Sequence, residues 1–341
     1  MIKAYVPRIC LGIATACLVS AGPPRPAVPA AASPAASIDA EVLHLQVILD
    51  RLGFSPGVID GKPGTMLTRA VRGLQIAQGL PATGRLDART AAVLRPHRQT
   101  PGIIEIGLTR ADIAGPYQGP IPKKEADQAK LPALGYSSLT ERLAERYHTT
   151  PETLIALNGG DAKLAVGARL KVPNVVPASS AYPADLKPDW RATLVDLSVG
   201  APQPQAARIV VDKSEGVLRA FDEAGKLVAQ FPATMGSRHD PLPIGRWTIQ
   251  GESTLPQFHY NPKLFWDASA KDRKATLPPG PNGPVGVVWL DLNKPHYGIH
   301  GTPEPAKIGR TESHGCIRLT NWDAARLALM VKPGTPAVFQ P

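Results

Sequence analysis

The residues with the clearest chemical meaning lie near the C-terminal end of the chain, in the runs Tyr297-Gly298-Ile299-His300-Gly301-Thr302 and Ser313-His314-Gly315-Cys316-Ile317-Arg318-Leu319. Two histidines flank one cysteine. A free thiol has a pKa of about 8.5 and is only a few per cent ionised at neutral pH, so a nucleophilic cysteine needs an imidazole, a positive charge or aligned N–H dipoles beside it. His300 can accept the thiol proton, Arg318 brings a fixed charge, and Gly315 lets backbone approach a substrate closely. Inert burial of a lone cysteine competes with this reading. So does a zinc site, because His296 and His300 have a spacing used by metals; helical placement and a second thiolate are missing, and neither metal nor cofactor is expected. His239, His259 and His296 read as surface residues or substrate contacts, Ser313 as a turn-shaping residue, and Tyr297, Trp289 and Trp266 as core or cleft wall.

The rest of the chain has to position that constellation. Its 341 residues suit two or three domains, and 37 prolines with 31 glycines favour short elements joined by turns. The formal net charge of +10 is scattered along the sequence, which argues against nucleic acid and for a diffuse anionic partner. Lys3 and Arg8 precede a short apolar run, Ile9 to Val19, and Val19-Ser20-Ala21 offers small residues for a signal peptidase. Residues 1–21 therefore read as a secretory signal and 22–37, rich in Pro and Ala, as a linker. Cleavage after Ala21 removes Cys10 and Cys17 and leaves Cys316 as the sole thiol; lipid attachment at Cys17 is the second reading. The expected location is the periplasm or cell wall.

Apolar spacing predicts helices over 38–52, around Val71, Leu74 and Ile76, and over 87–94, with a turn-rich loop at 53–64. The trio, with Leu45-Gln46, Leu52-Gly53, Asp60-Gly61, Thr68-Arg69-Ala70-Val71 and Thr83-Gly84, resembles the common peptidoglycan-binding domain over 38–96. Thr68 is expected near a helix start. A second segment, 134–175, places a helix at Leu139 to Tyr147, another opened by Pro151, and a closing strand at Leu170 to Pro173. It resembles a LysM domain, except that Tyr136-Ser137-Ser138-Leu139 stands where that family has its opening strand. Residues 176–205 read as a linker. Beyond them, alternating apolar segments at 208–212, 217–221, 226–231, 247–249, 285–290 and 336–339, with one helix at 322–331, make residues 206–341 a mostly β domain. The overall expectation is a multidomain chain of a small three-helix domain, a small α/β segment and this β domain.

With His-Gly, a spacer of about a dozen residues and Ser-His-Gly-Cys all present, together with Pro243-Ile244-Gly245 and Tyr260-Asn261-Pro262, the C-terminal domain resembles the L,D-transpeptidase catalytic domain. That resemblance implies Cys316 as nucleophile, His300 as general base and His314 as a neighbour that orients substrate or supports the oxyanion. It also implies a substrate-binding group of Gly315, Ser313, Arg318, Tyr297 and Gly301, with Arg318 forking to a stem-peptide carboxylate. Arginine stands there in place of the asparagine many relatives carry. The implied partners are peptidoglycan stem peptides, glycan and carbapenem-type inhibitors, with the chain a monomer. The competing classes are a non-catalytic wall-binding protein on the same fold and a zinc peptidase.

Overall fold

The computed structural model describes residues 38–341 apart from 161 and 162, and residues 38–341 form one compact unit. The signal, Cys10, Cys17 and the first linker lie outside the described residues. Helix α1, Ala40–Arg51, starts on an Asp39 cap whose carboxylate accepts from the N–H groups of Glu41 and Val42. Helix α2, Thr65–Ala77, buries Val71 and Leu74, whereas Ile76 is 38% exposed. Its first residue is Thr65, so Thr68 sits a turn inside the helix, with its hydroxyl donating to the Gly64 carbonyl. Helix α3, Ala88–Leu94, is capped by Asp87.

Strand β1, Ile103–Gly107, pairs antiparallel with β2, Arg169–Pro173. Between them lie two single helical turns, then α4, Leu139–Arg146, and α5, Pro151–Asn158, entered through a Thr150 cap and Pro151. The strand that pairs with β2 thus lies some thirty residues before Tyr136, and on the way the chain makes a long excursion in which Ile121, Leu131 and Leu134 pack with Tyr260 and Leu277 of the β domain. The segment shares one core with the helical domain: Leu43, Val47 and Ile59 pack with Leu143, Leu154, Leu170 and Val172.

Residues 176–205 are not a free linker. Helix α6, Pro188–Asp196, sends Trp190 and Leu194 into the core of the β domain. Truncating a Trp buried to that degree costs about 3–5 kcal/mol, so the helix belongs to the β domain. Arg142 and Arg146 of α4 both ion-pair with Asp196, tying α6 to the segment before it.

The β domain is a nine-stranded sheet. Its strands are β3 (Arg208–Asp212), β4 (Val217–Phe221), β5 (Leu227–Pro232), β6 (Thr234–Met235), β7 (Gly245–Thr254), β10 (Val288–Leu292), β11 (Gly298–His300), β12 (Ile317–Arg318) and β13 (Pro336–Gln340). The order is β5-β4-β3-β13-β7-β10-β11-β12-β6, and a separate hairpin joins β8, Phe258–Tyr260, to β9, Ala275–Leu277. Helix α7, Asn321–Ala328, is buried along its whole length and carries the fully buried Trp322.

On α7 the N-terminal parts meet the β domain through charge. Arg326 reaches the Asp50 side chain at 3.3 Å and its carbonyl at 3.1 Å, while Asp323 accepts from the Ser55 hydroxyl at 2.7 Å. His148 stacks on Trp322 with ring centroids 4.9 Å apart, and its two ring nitrogens lie against an Asp50 oxygen and the Leu197 carbonyl. Backbone pairing of Ser55 and Gly53 with Gln230 on β5 completes the seam. The described residues include no helix long and apolar enough to cross a membrane.

Candidate active site

β11 and β12 pair in parallel, with Ile299 opposite Ile317 and His300 opposite Arg318. Registered neighbours on adjacent strands point to one face, and side chains alternate along each strand. His300 and Arg318 therefore stand side by side, with Cys316 two residues before Arg318 on the same face, next to Gly298. The Gly298 N–H acts to lower the pKa of the thiol. A Cβ at Gly298 would come within 2.4 Å of the Trp289 indole, so glycine is what lets that ring lie over the strand.

His300 is 4% exposed and stacks on Trp289 at 5.3 Å and 16°. Its Nδ1 is 2.7 Å from the Gly301 carbonyl, which can only accept, so Nδ1 carries the hydrogen and Nε2 the lone pair. Burial, with the nearby Arg318 charge adding to it, depresses its pKa to about 3. The ring is thus a neutral imidazole, the form a base requires.

The neighbours that a nucleophilic cysteine needs are present, yet the thiol is not held ionised at rest. Burial pushes Cys316 above its ordinary value, and this outweighs the Gly298 N–H and Arg318, which pull the other way. The resting pair is a neutral thiol with a neutral imidazole. Its hydrogen-bonding partner is the His296 carbonyl, 3.7 Å from Sγ, and not the His300 ring. Arg318 is a half-buried cation whose buried Nε has no hydrogen-bond partner among the described residues, and desolvation lowers its pKa. A guanidinium left with a free donor is suited to an incoming carboxylate or oxyanion.

His314 is held from elsewhere. Its Nε2 lies 2.8 Å from Asp267, and its ring meets Phe265 edge-on at 4.8 Å and Trp266 at 5.7 Å, all from the segment joining β8 to β9. Ser313 is fully engaged in the turn: its hydroxyl accepts from the Gly236 N–H at 2.7 Å and donates to the Cys316 carbonyl at 2.6 Å. Gly315 has φ +94°, and a Cβ there would strike the Tyr297 ring at 2.6 Å, so Tyr297 is the wall against which the nucleophile's turn closes. Gly301 serves a different neighbour. A Cβ on it would lie 2.1 Å from Asn321 Oδ1, which also accepts from the Val287 N–H.

Asn321 donates in turn to Glu145 of α4 at 2.8 Å. Glu145 is buried, and that burial raises its carboxyl to about 8. An accessory helix therefore touches the residue that shapes the His300-Gly301 turn. Sequence reading missed Asn321, Glu145, Asp267 and Phe265 as parts of the site, whereas Trp266 stood out as core or cleft wall. Among the remaining histidines, His239 stacks on Trp266 at 4.3 Å, His259 lies 3.2 Å from the Thr276 hydroxyl, and His296 is exposed with φ +68°. No cluster of three metal-ligating side chains occurs among the described residues.

The family model of YkuD, the L,D-transpeptidase catalytic domain, matches residues 206–339, and that of the putative peptidoglycan binding domain matches 39–94. The putative L,D-transpeptidase YkuD of Bacillus licheniformis is 34% identical over 134 residues, covering 39% of this chain and 66% of that protein. The probable L,D-transpeptidase YbiS of Escherichia coli is 30% identical over 135 residues, covering 38% and 44%. The chain thus spans between about two fifths and two thirds of the length of these relatives. Among solved structures, an L,D-transpeptidase from Mycobacterium smegmatis is similar at 23% identity and TM-score 0.32, covering 39% of this chain and 58% of that one. L,D-transpeptidase LdtMt1 in complex with imipenem is similar at 19% identity and TM-score 0.33, covering 39% and 57%. The matched segments and the Cys316 constellation agree: residues 206–339 belong to the L,D-transpeptidase catalytic domain family, and they follow an N-terminal peptidoglycan-binding domain.

Proposed function

We propose that the chain is a cell-wall L,D-transpeptidase with Cys316 as nucleophile and His300 as its base. The observation that carries the reading is the parallel register of β11 and β12, which gathers His300, Arg318 and Cys316 on one face around Gly298. As substrate enters, Sγ turns from the His296 carbonyl toward Nε2 of His300 and gives up its proton there. The sulfur attacks the carbonyl carbon of the third residue of a tetrapeptide stem. The bond to the terminal D-alanine breaks, its amine leaves with the proton from His300, and a thioester remains.

An amine of a neighbouring stem then attacks the thioester, forming a new peptide bond and a 3-3 crosslink, while its proton returns through His300 to the sulfur. A protein amine, a D-amino acid or water in that place gives attachment, exchange or carboxypeptidation. The N–H groups of Gly315 and Cys316 are the oxyanion donors, each worth about 3 kcal/mol. Arg318 receives a stem carboxylate, and His314, clamped by Asp267, orients the chain beside the thioester. The site of action is the wall outside the membrane, and the working form is a monomer.

Incubating the full-length protein with a carbapenem and, separately, with a tetrapeptide tests this. A covalent adduct on Cys316 by intact mass and release of D-alanine are expected. Equal D-alanine release from Cys316→Ser sinks the assignment. Retention on sacculi with neither D-alanine release nor new crosslinks leaves a wall-binding protein on the same fold.

A further inference from the structure

A groove of about 590 Å³ runs along the junction of α2 with the edge of the catalytic sheet, on the far side of β6 from Cys316. Arg69 of α2 forms part of its wall, with Lys213 and Gly216 from the β3–β4 turn, Arg238 after β6, and Glu312 just before Ser313. Three cations face one carboxylate.

Arg69 is half-buried, and glycines make room for its guanidinium. Cβ atoms at Gly216 and Gly309 would lie 2.9 and 3.3 Å from Nη1, and both glycines have positive φ, +61° and +70°. Glu215, the acid whose charge acts on Arg69, is instead paired with Arg72 at 3.4 Å and with Arg219. Among the described residues, the one side chain within hydrogen-bond range of the guanidinium is the weak acceptor Met66 Sδ, at 3.7 Å. A guanidinium kept in a polar groove without a carboxylate of its own is a binding element in waiting.

The groove is also coupled to the nucleophile. Thr234 and Met235 of β6 pair with Arg318 and Ile317, Gly236 exchanges hydrogen bonds with Ser313, and Ser313 holds the Cys316 carbonyl. Adjacent strands lie about 4.8 Å apart, so the β6 wall stands one strand from β12, which Cys316 leads into.

We infer that this groove is a second peptide subsite, in which Arg69 of the peptidoglycan-binding domain binds a carboxylate of a wall stem peptide while Lys213 and Arg238 steer it in. The inference rests on the transpeptidase reading and gives the N-terminal domain a share in substrate choice.

The test uses full-length Cys316→Ala protein, which cannot turn over, titrated with a tetrapeptide and with the same peptide amidated at one carboxylate at a time. One amidation should weaken binding on the order of tenfold, the usual scale for a charge-assisted hydrogen bond. Arg69→Gln should abolish that particular preference, and the exposed pair Lys213→Gln/Arg238→Gln should reduce it a few-fold and flatten its salt dependence. If Arg69→Gln is folded by its thermal transition and every amidation still costs what it costs the parent, the subsite is overturned. If Arg69→Gln does not fold, the exposed double variant decides: an unchanged preference and salt dependence overturns the subsite. Carbapenem acylation of Cys316 in the otherwise unaltered enzyme separates the two levels. Acylation without an Arg69-dependent preference removes only the subsite, whereas no acylation removes the transpeptidase reading.

Discussion

Two buried histidines, each stacked on a tryptophan, divide the molecule into a part built for rigidity and a part built for reaction. His148, at the seam, lies on Trp322 and has both ring nitrogens occupied, by Asp50 and by the Leu197 carbonyl. His300, in the cleft, lies on Trp289 and has one nitrogen occupied. Ring stacking and burial are common to both; the difference is a single free lone pair. Two arginines, the buried Arg326 and the half-buried Arg318, divide the same way. Arg326 is satisfied by Asp50, whereas Arg318 keeps an unpartnered Nε beside the thiol. At the seam His148 and Arg326 are matched to Asp50, although Asp50 Oδ1, Asp323 Oδ1 and Trp322 Nε1 lack a partner among the described residues, whereas in the cleft the open groups are those of the reacting side chains.

The sharpest way to break the comparison is to exchange the histidines for glutamine. His300→Gln should lower turnover by roughly 10²–10⁴-fold, the range for a general base, with a modest change in Tm. His148→Gln should do the reverse, costing about 1–3 kcal/mol of stability while kcat per folded molecule holds. A His148 variant that keeps its Tm and loses turnover would show that the seam takes part in chemistry.

Next in size are the arginines. Arg326→Met strands the Asp50 carboxylate, and denaturant unfolding should show a loss of about 3–5 kcal/mol. Asp50 is held below its usual value chiefly against the opposing effect of burial, by Arg326 and His148, so its contribution is present above pH 3.8 and lost as pH falls. Arg318→Gln removes no ion pair and should cost little stability.

The effect of Arg318→Gln belongs in the pH profile. Iodoacetamide labelling of Cys316 should climb with pH and reach its half-point above that of a free thiol in the parent, because burial raises the thiol. Without Arg318 the half-point should move higher still, since that charge is one of the two influences lowering it. A plateau below pH 6 would instead indicate a standing thiolate–imidazolium pair.

The smallest effect is expected at Glu145. Its folded carboxyl is raised from 4.5 to about 8, so the stability it contributes is fully present below pH 4.5 and gone once the pH passes 8. Glu145→Gln keeps the acceptor for Asn321 and does not ionise. Its Tm should therefore gain on the parent as pH goes from 5 to 9; parallel curves would show that the carboxyl stays ionised.

Much of the cleft could be read from residue order, because Ser-His-Gly-Cys and His-Gly are contiguous and their chemistry is local. Many of the strands and helices follow from apolar periodicity, whereas the helix starts do not: the helix of Val71 and Leu74 begins at Thr65 and not near Thr68. What escaped reading depends on distant contact. Prolines and alanines around residues 176–205 mask the helix whose Trp190 completes the catalytic core. Glu145 sits in a run of charges and reads as a solvated face, yet it is buried against Asn321 from 176 positions away. The neutral thiol was equally hidden, since burial decides it and burial is a property of the assembled sheet.

Helix α7 has one more consequence. A recombinant fragment beginning at residue 206 would keep every member of the Cys316 constellation, but it would leave Trp322, Asp323 and Arg326 without the neighbours supplied by residues 50, 55 and 148. It would also lack Trp190 and Leu194 from its own interior. For this chain the boundary drawn by homology is a poor place to cut, and domain swaps between relatives should carry everything from residue 38 onward as one cassette.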